Sequence, residues 1–214
     1  MRKAALYCLI MAAAAGCKSI AKYPIDAKPA VAVDTALLGS WTAAEDTDQA
    51  NHIVIQNFWD AHPSGEGVNQ VDKKYGYYLS YMHMHGQYAT YHHFESFQSK
   101  VGSAMFFNLP YRNEVTDKKT GASTGDVVRG YFFVRILSMN AAHTEMVTAM
   151  VADTTMTKLK SSKEVRAYIT KNLNNPKFYS DTLHFRKTDN YHLSLDKKSF
   201  YLKRTKTLNE LMNE

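Results

Sequence analysis

The chain has 214 residues, 26 basic against 20 acidic side chains for a net charge of +6, 12% aromatic residues and two cysteines. Its lysines are scattered, and Asp-Lys-Lys recurs at Asp72, Asp117 and Asp196 in turn-like settings, so the charge reads as solvated loops and excludes a concentrated nucleic-acid surface. Two cysteines exclude a disulfide scaffold, and the length suits one ordinary domain with a core of its own.

Met1-Arg2-Lys3 and the uncharged run Ala4 to Ala15 have the order of a secretory signal, a basic start followed by a short apolar stretch too short to span a bilayer. The run ends in Ala14-Ala15-Gly16-Cys17, which resembles a bacterial lipobox. That implies a signal peptide over 1–16, a mature chain beginning at Cys17, and a diacylglycerol on its thiol. More than one acyl chain then anchors the protein without a spanning helix. Cys8 leaves with the leader, so no thiol remains for catalysis, disulfides or metal. Lys18 is not the aspartate associated with inner-membrane retention, and Lys18 to Lys22 lacks the acidic run of a surface-export signal. The expected location is the outer membrane, facing the periplasm.

Residues 17–36 carry Pro24 and Pro29 and no apolar periodicity, as a lipidated tether would, and the single domain is expected over 37–214. It opens with Leu38-Gly39-Ser40-Trp41. Strands follow at His52–Gln56, Tyr75–Met84, Ala104–Phe107, Tyr131–Leu137 and Thr144–Val151, each rich in β-branched or aromatic residues and bounded by turn residues. Ser161 with Glu164 forms a capping box before Val165, Tyr168, Ile169 and Leu173 at helical spacing, which predicts a helix over about 162–174, closed by Pro176. Two strand-like pieces, Thr182–Arg186 and Phe200–Arg204, return after it. The fold class is therefore all-β, an antiparallel meander with one late helix.

Gly39-x-Trp41 on the first strand, the meander and the late helix together resemble a lipocalin-type barrel. The resemblance implies that Gly39 allows close packing at the barrel floor, that Trp41 plugs it, and that a basic side chain packs on the tryptophan. Lys158, Lys160 and Arg186 are the candidates for that cation. The family's Thr-Asp-Tyr turn motif is missing. The chain from Leu-Gly-x-Trp through Glu45-Asp46-Thr47-Asp48 is also similar to small lipoproteins of gut Bacteroidetes, a resemblance that brings no activity.

Three constellations bear on function. Tyr77, Tyr81, Tyr91, Phe107, Tyr131 and Phe133 are inward candidates that would line a cavity for one small hydrophobic ligand if the sheet closes, or fill a solid core if it does not. His83 and His85 alternate on one strand face, with His92 or His93 on the next strand, an arrangement that either offers imidazoles to copper or zinc, with Met82 and Met84 on the other side, or merely decorates half-exposed strands around a turn at Gly86. Glu45, Asp46 and Asp48 offer either carboxylates for a hard cation or acid/base work, or a turn that caps its own amides, the reading favoured because the regularly alternating oxygen ligands of a calcium loop are absent. No Gly-x-Ser-x-Gly elbow, Ser-x-x-Lys motif or Gly-rich phosphate loop occurs, and no cofactor is implied. The expected partners are the membrane, through the lipid, and a small hydrophobic ligand. The alternatives are an envelope protein or metal captured by the His/Met group.

Overall fold

A computed structural model describes residues 19–44, 51–58, 74–85, 88–116, 123–180, 182–188, 194–195 and 202–203. Cys17 and the acidic group Glu45 to Asp48 lie outside the described residues. Eight strands close into one antiparallel barrel in sequence order: β1 (Gly39–Ala43), β2 (Asn51–Asn57), β3 (Gly76–His85), β4 (Tyr88–Val101), β5 (Ala104–Thr116), β6 (Ser123–Met139), β7 (Glu145–Met150) and β8 (Leu183–Lys187). Closure comes from β1 pairing with β8, Trp41 opposite Lys187 and Ala43 opposite Phe185. This is the all-β, lipocalin-like meander with one helix. A small pair, β9 (Ser194–Leu195) with β10 (Leu202–Lys203), follows it.

The helix α1 (Ser162–Asn172) lies in the β7–β8 connection, so the last barrel strand returns after it. Ser161 caps it by accepting from the Glu164 amide at 3.2 Å, while the Glu164 carboxylate accepts from the Lys160 amide at 2.9 Å. Its buried stripe, Val165 and Ile169, packs on the outside of the barrel against Val101, Ala104, Phe106 and Phe133. Gly102 takes φ +61° in the two-residue turn that joins β4 to β5.

Two apolar layers result, one on each face of the sheet. The inner layer draws on all eight strands, with Trp41, Ile55, Tyr77, Leu79, Phe94, Phe107, Val134, Met146 and Phe185 among its members. The outer layer lies between the β4–β6 wall and α1.

The N-terminal stretch read as a tether is laid along this outer wall over its described part. Ala21 bridges Tyr131, with backbone hydrogen bonds of 3.1 and 2.7 Å, and Ile25 donates its amide to Asn108 Oδ1 at 2.9 Å. Asp26 pairs with Arg166 of α1 at 2.5 Å. Ile25 is 1% exposed, and burying an isoleucine is worth about 1.5–3 kcal/mol. The half-exposed ion pair contributes at most about 1 kcal/mol, so apolar burial holds this strap.

Candidate functional site: the barrel lumen

The floor of the barrel is built from the Gly39-x-Trp41 signature. A 3-10 turn over Thr35–Leu37, capped by the Asp34 side chain, tucks Leu37 under the barrel, and the Trp41 indole Nε1 donates to the Leu37 carbonyl at 2.9 Å. Lys187 closes the floor from the neighbouring strand. Its ammonium lies 5.3 Å from the Trp41 ring centroid and donates to the Ala36 carbonyl at 3.2 Å. Gly39, at φ +130°, leaves room for the lysine stem, because a Cβ there would stand 2.8 Å from Lys187 Cε. The cation on the tryptophan is therefore Lys187 rather than Lys158, Lys160 or Arg186. Lys158 and Lys160 are exposed, and Arg186 turns outward toward Glu145, because neighbouring residues on a strand face opposite sides.

Above the floor lies a polar contact within an apolar setting. The fully buried Tyr77 hydroxyl donates to Gln98 Oε1 at 2.9 Å and accepts the Asp34 amide at 2.6 Å. Burial pushes its pKa well above the ordinary tyrosine value, so it stays a neutral donor. The Phe107 ring meets Tyr77 edge-on at 5.2 Å.

Further apolar residues share the inner face by register yet remain partly accessible: Ile53 opposite Trp41 and Tyr81, Phe94 opposite Leu79, Leu109 opposite Phe132, and Val134 opposite Phe107. The mouth is the end away from Trp41, where β3 meets β4 at His85 and Tyr88 and β5 meets β6 at Thr116 and Ser123.

The six aromatic candidates separate by face. Tyr77 and Phe107 point into the lumen, and Tyr81 is on the same face, opposite His92. Tyr131 and Phe133 instead belong to the outer layer beneath the strap and α1. They are not lumen residues, because the outer wall of β6 is itself buried. Tyr91 pairs with Met82, and its side chain lies outside the described ones.

No protein-family model, curated protein or solved structure matches the chain.

The histidines are spread along the β3–β4 hairpin: His83 pairs with Thr90, His85 with Tyr88, and His92 with Tyr81, whose ring it stacks on at 6.4 Å. The side chains of His83 and His85 lie outside the described ones, and among the described residues no three metal-ligating side chains converge. His93 faces outward, stacked on Tyr78 with its Nδ1 3.0 Å from Ser80 Oγ. Thr42 and His52 form a second such pair at 3.1 Å. Ser80 and Thr42 are 5% and 6% exposed.

Two residues of the site carry no sequence motif. Gln98 and Lys187 acquire their roles only from register, Gln98 opposite Phe107 and Lys187 opposite Trp41.

Proposed function

We propose that the protein is a lipid-anchored carrier of the cell envelope, held at the outer membrane through Cys17, facing the periplasm and binding one small hydrophobic ligand in its barrel. On this reading it is akin to the lipocalins in use as well as in fold. The observation that carries the proposal is the mismatch between direction and burial in the lumen. Ile53, Tyr81, Phe94, Leu109 and Val134 face inward in a closed barrel, yet all remain partly accessible, whereas a solid core would bury them. The Trp41–Leu37–Lys187 floor seals one end, which leaves the mouth as the route in.

A small apolar ligand is the occupant that such walls favour, each buried CH₂ adding about 0.8 kcal/mol. Native mass spectrometry of the mature protein purified from its own host tests the reading. A bound small molecule or lipid is expected, and a bare protein mass overturns the carrier. The acyl mass on Cys17 in the same spectrum tests the anchor separately, since an unmodified, water-released chain rules it out.

A further inference from the structure

From Ala21 onward the barrel wall grips the chain, through the paired backbone hydrogen bonds to Tyr131, the buried Ile25 and the Asp26–Arg166 pair. Lys18, Ser19 and Ile20 alone separate Cys17 from that grip, and four peptide links reach at most about 14 Å. β6 is 17 residues long, about 55 Å at strand rise. A bilayer that holds the acyl chains of Cys17 therefore lies within about 14 Å of Ala21 and the wall beside Tyr131.

The strand end beside that point carries exposed apolar and basic side chains. Val127 and Val128, 44% and 37% exposed, are among the most exposed large apolar side chains of the described residues. They precede Tyr131 on the same strand by four and three residues, about 10–13 Å away, and as neighbours they face opposite sides of it, Val128 opposite Arg112 on the groove side and Val127 opposite Asn113. Val128 also borders an outer groove of about 270 Å³ lined by Pro29, Phe97, Pro110 and Tyr131 and by the Glu95–Arg112 ion pair, so the wall beside the strand end is part apolar and part charged. Arg129, the next residue of β6, and Lys22, which follows Ala21 in the strap, are exposed.

We propose that the mouth-side end of β6, Val127 to Arg129 with Lys22 of the strap, rests on the lipid surface in which Cys17 is anchored. The inference rests on the lipid anchor proposed above and adds an orientation to it. A strand end that carries exposed valines together with basic side chains suits the boundary between headgroups and acyl chains, where the valines leave water and the cations meet phosphates. Because β6 ends at the mouth, this contact sets the lumen beside the bilayer, and cargo exchanges with the membrane rather than with the aqueous phase.

The test uses the full lipidated protein in vesicles of phosphatidylethanolamine and phosphatidylglycerol. An environment-sensitive dye is placed at Val128→Cys, with Leu137→Cys toward the floor and Lys171→Cys on α1 as references. The lipidated Cys17 offers no free thiol, so each variant takes one dye. A blue shift at position 128 and its loss of emission to headgroup-depth nitroxide lipids, with water-like emission at 137 and 171, is the expected result. Arg129→Cys carries the same dye should the Val128 variant fail to fold. A lipidated, vesicle-bound protein whose dyes at 128 and 129 stay water-like overturns the orientation alone. A chain without acyl mass that washes from the vesicles overturns the anchor and the orientation together.

Discussion

At the scale of single residues, the barrel floor joins the Trp41 indole to a lysine from the strand that closes the sheet. Lys187 is the cation over the indole because its strand position lies opposite Trp41 and faces inward. Lys187→Met keeps the stem and removes the charge, with an expected cost of about 1–2 kcal/mol in urea unfolding. Gly39→Ala is expected to cost about 1–3 kcal/mol, since it places a side chain at φ +130° against the lysine stem. If Gly39→Ala unfolds at the wild-type urea midpoint, the floor does not depend on that close approach.

Tyr77 supplies the second residue-scale prediction. Its folded-state pKa is raised by burial above the unfolded value of about 10. The hydroxyl therefore contributes its full stability below pH 10. Above that the unfolded chain loses the proton first, so stability falls as pH rises. Tyr77→Phe removes that part of the alkaline slope, and it lowers stability at pH 7 by about 1–3 kcal/mol because the buried Gln98 oxygen loses its donor. Urea midpoints measured from pH 7 to 11 check both signs. An unchanged alkaline slope in the variant removes the assignment.

At the scale of elements, the capping box places α1 within two residues of its expected end, and the β-branched runs mark most strands. β4 is the instructive failure. Its apolar residues change faces along the strand, from Phe94 inward to Phe97 and Val101 outward, while Ser96 and Gln98 occupy inner positions. No single alternation runs through it, because the strap and α1 bury the outer wall of its second half. The same two-sided burial sends Tyr131 and Phe133 outward, although their sequence context matches that of the lumen aromatics. The strap was equally illegible, since Ala21 and Ile25 are isolated apolar residues whose partners lie about a hundred positions away. Gly130 marks its seat: a Cβ there would come within 2.2 Å of Ile20 Cγ2 and 2.7 Å of the Ala21 carbonyl. Gly130→Ala is expected to lift the strap, with faster amide exchange at Ala21 and Ile25 and earlier proteolysis between residues 19 and 34, while α1 keeps its protection. Equal exchange at Ala21 in wild type and variant contradicts that arrangement.

At the scale of the whole molecule, closure of the sheet turns a list of aromatic residues into a division of labour. The lower lumen is occupied by Trp41, Tyr77 and Phe107, all buried, and gives rigidity. The upper lumen keeps accessible apolar walls, and on the proposed reading those walls hold the ligand. A substitution that adds volume to the upper wall should therefore do what it would not do in a solid core. Overpacking a filled interior typically costs about 1–3 kcal/mol or more, whereas a bulky side chain entering empty apolar space gains burial. Leu109→Trp, inward and partly accessible, is expected to leave the melting temperature unchanged or raised and to abolish any co-purifying ligand in native mass spectra. Phe107→Trp, at the packed level, is expected to destabilise the fold by about 1–3 kcal/mol instead. If Leu109→Trp destabilises as much as Phe107→Trp, the upper lumen is packed and the carrier reading fails. A stable Leu109→Trp that still carries its ligand places the binding site elsewhere, since the barrel offers that side chain no other direction than inward.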